Sequence, residues 1–189
     1  MTDPIFEKWF DGIIKKWEGG IANRPPEEDP GGYTNHGVTI GTWKNGGAKL
    51  LARPATVAAL SQITWDDAKK IAYHMYWLAN KVNQVKNPAF RPIVMDSFWL
   101  GGGMKSLGYN SVAGLNAALN ETVDKLYKKR LLFLQKLSNW NTNKGGWTSR
   151  LNDIKAMGSK IATRRNLLIG GGVMAFVASG IIAYKYFQK

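Results

Sequence analysis

The decisive stretch is Trp17-Glu18-Gly19-Gly20, followed after a Pro-rich interval by Asp29-Pro30-Gly31-Gly32-Tyr33-Thr34-Asn35-His36-Gly37-Val38-Thr39. Upstream of it, Phe6, Phe10, Ile13 and Trp17 recur on one helical face, so residues 4–17 are expected to form an amphipathic helix. Asp3 is placed to cap that helix. Pro4 sits at its first position, where a missing N–H costs nothing. Gly19 and Gly20 stop it, which leaves Glu18 at the C-terminal end. The helix dipole is negative there and favours the protonated carboxyl, the form a general acid needs. Residues 21–47 are rich in Pro, Gly, Asn and Asp and read as a loop with one small hairpin around Tyr33 to Trp43.

Hydrolysis of a glycosidic bond needs a carboxylic acid to protonate the leaving oxygen. It also needs a second polar function to position water or steady the positive sugar. A Glu at a helix end, followed by a glycine-rich loop carrying Asp and Thr, can supply both around one cleft. Taken as spacing alone, a Glu before two glycines is also what a solvated helix end looks like.

The rest of the chain reads as helices. Residues 55–61 form a short one. Thr64-Trp65-Asp66-Asp67 has capping-box form and opens a helix to about Ala79, with Ala68, Ile71, Ala72, Met75 and Leu78 inward. Asn87-Pro88 opens another, closed by Gly101-Gly102-Gly103, and Ser111 to Leu119 is a small-residue helix. Asn120 is placed to cap a longer one with Val123, Leu126, Arg130, Leu131, Leu134 and Leu137 in register. A polar loop at Ser138 to Gly146 precedes a last amphipathic helix, Trp147 to Met157.

The motif resembles glycoside hydrolase family 108, N-acetylmuramidases of phages and bacteria. Trp17-Glu18-Gly19-Gly20 and Asp29-Pro30-Gly31-Gly32 with Thr34, Asn35, Gly37 and Thr39 carry the similarity. Ile63-Thr64, Asp66 and Ala68, then Tyr73, Tyr76-Trp77 and Asp96-Ser97-Phe98, follow in the same order. Tyr127, Arg130 and Phe133, then Gly146-Trp147 and Arg150-Leu151, complete it. The resemblance implies a mainly α, lysozyme-like helical domain with a small β-hairpin, and cleavage between N-acetylmuramic acid and N-acetylglucosamine. It implies Glu18 as catalytic acid, Asp29 and Thr34 as water-positioning groups by analogy with phage lysozymes, and no metal or cofactor. Glu27 and Glu28 compete with Asp29, because the interval after Glu18 is longer than the family pattern. Tyr33, Asn35, Thr39 and Trp43 lie near the motif and are the candidate glycan-binding residues, whereas Trp17, Trp77 and Trp99 are read mainly as core and His36 as a surface loop residue.

Composition narrows the partners. The formal charge is +13, which selects polyanions: cell wall, anionic lipid or nucleic acid. No paired Cys/His ligands or aromatic strand motif accompany that charge, so nucleic acid ranks last. There is no Cys, and the two histidines, His36 and His74, have no zinc-binding spacing. The N-terminus has no secretory signal pattern.

From Asn166 to Tyr184 the chain carries no charge, which at ~1.5 Å per residue reaches close to the ~30 Å of a bilayer core. Arg164, Arg165, Tyr184, Lys185 and Tyr186 flank it, as interfacial anchoring requires. Gly171, Ala175, Ser179 and Ala183 form a small-residue stripe that permits helix–helix self-association. The expected organisation is a muramidase domain at 1–157, a basic linker at 158–165, a transmembrane helix at 166–184 and a tail at 185–189. The protein is expected at a viral or host inner membrane, with phage entry or lysis as its setting. A non-catalytic, membrane-anchored glycan-binding protein is the alternative.

Overall fold

The computed structural model describes residues 3–22 and 32–186, with side chains described as far as Arg165 and at Leu167. Helices dominate. Among the described residues they accompany a small three-stranded sheet, and the core gathers Phe6, Trp9, Phe10, Trp43, Trp77, Ile93 and Leu126.

The first helix, α1, begins at Pro4–Trp9, passes through a π-helical turn at Phe10–Ile14 and ends at Lys15–Trp17. Asp3 caps it as expected, accepting from the Ile5 amide at 2.8 Å, and also pairs with Arg91. The π turn widens the buried stripe. Trp9 and Ile14 join Phe6, Phe10 and Ile13 in the core, while Trp17 is only part-buried and donates its indole N–H to Asp153 at 2.8 Å.

Three two-residue strands follow: β1 (Ile21–Ala22), β2 (Thr34–Asn35) and β3 (Val38–Thr39). They form an antiparallel sheet in the order β1-β2-β3, with Ala22 opposite Thr34 and Asn35 opposite Val38. His36 and Gly37, at φ 51° and 78°, make the two-residue turn, and both positive angles suit the tight hairpin type. The hairpin is shorter than the sequence suggests. Thr39 already caps the next helix, α2, which runs through Ile40–Thr42, a π turn at Trp43–Gly47 and Ala48–Leu50.

Helix α3 is Val57–Leu60, and α4 is Trp65–Ile71 continued by a π turn at Ala72–Leu78. The Thr64 capping box is present, with Asp67 as its return partner. A turn of 3-10 helix at Pro88–Phe90 leads into α5, Arg91–Trp99, and α6 is Val112–Ala117. Helix α7, Val123–Leu134, is capped by Thr122 rather than Asn120 and buries Leu126, Arg130 and Leu134.

The final helix, α8, runs from Trp140 to Tyr186. The polar stretch before Trp147 is therefore largely helical. Residues 158–165, expected as a linker, continue the same helix and pack on the domain. A side chain at Gly158 would come within 2.7 Å of the Ala89 carbonyl oxygen, and Ile161 and Ala162 rest on the core. Except for Leu167, the side chains of the uncharged run at 166–184 lie outside the described residues. Among the described residues no helix is long and apolar enough to cross a membrane.

Candidate active site

Glu18 ends α1. Its amide still bonds to the Ile14 carbonyl at 2.8 Å, but its own φ and ψ of −99° and 102° are extended, so the helix stops there. The hairpin turn folds back onto it. The His36 amide donates to the Gly20 carbonyl, and a Cβ at Gly37 would lie 2.8 Å from Trp99 Cζ2 and 3.1 Å from Glu18 Cγ. Gly37 is therefore required twice, by its positive φ and by the approach of two side chains.

One oxygen of Glu18 is held. Arg150 Nη1 donates to Oε1 at 2.5 Å, and Trp99 Nε1 donates to the same atom at 3.3 Å. Both contacts fall on Oε1, and the side chain keeps 21% of its exposure. The field at Glu18 is thus not that of a helix end alone, because a guanidinium from α8 faces it.

Arg150 is itself buried and shared. Its Nε donates to Asp96 Oδ1 at 2.8 Å, and Arg130 approaches Asp96 Oδ2 at 3.9 Å while donating Nη1 to the Gly101 carbonyl. Glu18, Asp96, Arg150 and Arg130 form a set of two negative and two positive charges, three of them almost fully buried. Burial alone would lower the Arg150 pKa, but Asp96 and Glu18 more than offset this and raise it. Arg130 moves the other way. Burial lowers it and Arg150 adds to that, with Asp96 opposing.

Trp99 links this set to α4 and α2. Its ring lies 5.0 Å from that of Tyr76, whose hydroxyl pairs with Thr42 Oγ1 at 2.8 Å, and Thr42 pairs with Thr39 Oγ1.

The sequence candidates distribute unevenly around Glu18. Asp29 lies outside the described residues, as do its competitors Glu27 and Glu28. Thr34 stands on β2 with its hydroxyl donating to the Gly32 carbonyl at 3.0 Å. Thr39 is part-buried and serves as the cap of α2, accepting from the Thr42 amide. Tyr33 is part-buried against the core beside it. Two of the glycan-binding candidates are corrected. Asn35 is buried, with its amide nitrogen donating to the Leu60 and Ser61 carbonyls, so it ties the hairpin to the end of α3. Trp43 is fully buried, with its N–H on the Pro54 carbonyl. Both side chains are buried, and each donates to a backbone carbonyl inside the domain. His36 is likewise no plain surface residue. Its ring stacks 4.1 Å from that of Trp65, and burial lowers its pKa.

The sequence did not single out Arg150, Asp96 or Trp99 as neighbours of Glu18. Arg150 and Asp96 stood in the family-like motifs without a role, and an Arg followed by an apolar helix carries no signal of which acid it will meet. Among the described residues no group of His, Cys, Asp and Glu is arranged to hold a metal ion.

Residues 12–102 match the family model described as Glycosyl hydrolase 108, just under half of the 189-residue chain. A solved structure, "Structure of Brucella abortus SagA", is similar with a TM-score of 0.65 and 23% sequence identity, over 82% of this chain and 94% of that one. That likeness shows a shared fold. No curated protein matches the chain. The family match is a likeness over that segment. It includes Glu18, Asp96 and Trp99 and stops short of Arg130 and Arg150, which complete the buried charge set.

Proposed function

We propose that the protein is a peptidoglycan hydrolase of the muramidase type, cutting the β-1,4 bond from N-acetylmuramic acid to N-acetylglucosamine. The observation that carries the reading is the state of Glu18. One carboxyl oxygen is clamped by Arg150 and Trp99, and the side chain stays part-exposed at the end of a helix beside a glycine turn. In this reading Glu18 Oε2 gives its proton to the scissile oxygen. Arg150, held charged between Asp96 and Glu18, then steadies the carboxylate left behind. Asp29 and Thr34 hold the water that attacks the anomeric carbon, and Tyr33 and Thr39 border the glycan. No cofactor is required.

Purified peptidoglycan digested with the full chain, followed by mass spectrometry of the new ends, tests this. Muramic acid reducing ends are expected, and the Glu18→Gln protein should release none. Binding of the wall without any cleavage by the parent would instead favour the non-catalytic glycan-binding alternative.

We propose further that 166–184 anchors the enzyme in a bilayer, viral or host, with the small-residue stripe available for self-association. The continuation of α8 through these residues and the Arg164-Arg165 flank support that reading. Alkaline carbonate extraction checks it: the full chain should stay with membranes and a chain ending at Arg165 should be released.

A further inference from the structure

Between the end of α4, the end of α5 and residues 102–116 lies a half-open cavity of about 440 Å³. Its walls extend the two elements that frame Glu18. Asn80 stands one turn beyond Tyr76 and donates to the Tyr76 carbonyl at 2.9 Å, while Phe98 and Gly102 flank Trp99 on either side in the chain. Asn80, Lys81, Gln84, Phe98, Lys105 and Asn110 give the cavity its chemistry, and no Asp or Glu lines it. Among the described residues the side chains of Lys81, Gln84, Lys105 and Asn110 make no hydrogen bond or ion pair. Lys81 holds a left-handed backbone, φ 58°, a conformation that residues with a Cβ rarely adopt.

Two free ammonium groups and two free primary amides around an aromatic ring suit a ligand with carboxylates and peptide groups. A primary amide answers both the N–H and the C=O of a peptide, and a lysine answers a carboxylate. Unsubstituted sugar rings carry no charge for the lysines to meet. A polynucleotide would call for an extended basic track, whereas only Lys81 and Lys105 bring charge to this half-open hollow. We propose that this cavity binds the carboxylate-bearing peptide attached to the lactyl group of muramic acid, so that the strand is gripped by its peptide while Glu18 addresses its sugar. The proposal rests on the peptidoglycan reading of the Glu18 site. It adds the preference of the enzyme for peptide-bearing over stripped strands.

Two measurements on the full chain test it. Hydrolysis of intact peptidoglycan is compared with that of amidase-stripped glycan strands, and N-acetylmuramyl dipeptide is titrated calorimetrically. The parent should favour peptide-bearing strands and bind the dipeptide. Lys81→Ala/Lys105→Ala should lose about fivefold in both preference and affinity, whereas Lys136→Ala, an exposed lysine on the surface, should lose neither. Preference and binding retained in the double variant, or no dipeptide binding by the parent, would overturn the cavity assignment. If the parent cleaves neither substrate, the hydrolase reading fails, and the titration still decides whether the cavity takes the peptide.

Discussion

Two regions meet at Glu18 and differ in how they are made. On one side are the end of α1 and the β2–β3 turn, short pieces close in sequence, shaped by glycines and positive φ angles. On the other are Asp96 on α5, Arg130 on α7 and Arg150 on α8, distant in sequence, regular in backbone and buried. The first region presents the acid and the second holds it. Local chain chemistry suffices to expose a carboxyl, but fixing one oxygen of it takes a charge imported from the far end of the domain.

The sharpest way to break this comparison is to remove the acid and leave its holder. Glu18→Gln should cut hydrolysis of peptidoglycan by roughly 10²–10⁴-fold. Its far-UV circular dichroism should stay unchanged, since the amide can still accept from Arg150 and Trp99. A variant that still cleaves at the parental rate would move the acid elsewhere.

Removing the holder should act on stability first. Arg150→Met strands Asp96 beside Arg130 and leaves Glu18 without its cation, a change expected to cost about 3–5 kcal/mol in denaturant unfolding. The double variant Asp96→Asn/Arg150→Met should recover part of that loss; strict additivity would mean the two groups are not coupled.

The glycine turn should be next in size. Gly37→Ala places a methyl 2.8 Å from Trp99 and in a left-handed backbone, at a cost of about 1–3 kcal/mol with a fall in activity. Trp99→Phe keeps an aromatic ring but removes one long hydrogen bond and part of the packed indole, so about a fivefold loss of activity with a small loss of stability is expected.

The two regions should also part in acid. His36 has a lowered pKa when folded, so the unfolded chain takes up a proton first. Stability from the hairpin is then complete above the ordinary histidine value of 6.5 and declines as pH falls below it. In the helical region Glu121 shifts in the same direction for a different cause and in a lower pH window. Burial by itself would raise its pKa, but the hydrogen bonds from Lys129 and Tyr109 outweigh this and lower it. Its contribution is retained above the ordinary glutamate value of 4.5 and is lost only as pH falls below that. Trp65 fluorescence, which reports on the stacked His36, should therefore change at a higher pH than α-helical circular dichroism.

Much was legible in the sequence because the signals are local. The amphipathic face of α1, the Asp3 and Thr64 caps and the stop at Gly19-Gly20 each depend on residues a few positions apart, and each is present. The hairpin could be placed from its glycine turn. The readings that changed concern which way a side chain faces. Asn35 and Trp43 look like cleft residues in a polar loop, yet each finds a backbone carbonyl inside the domain. Arg130 and Arg150 sit in helices whose sequence says only that one face is buried. The network around Asp96 was decided by packing α5, α7 and α8 together, because a buried charge settles where the assembled fold offers an opposite one. Short-range steric and capping preferences set the helix ends and the glycine turn; desolvation, which acts only once distant segments meet, chose the partners of Glu18.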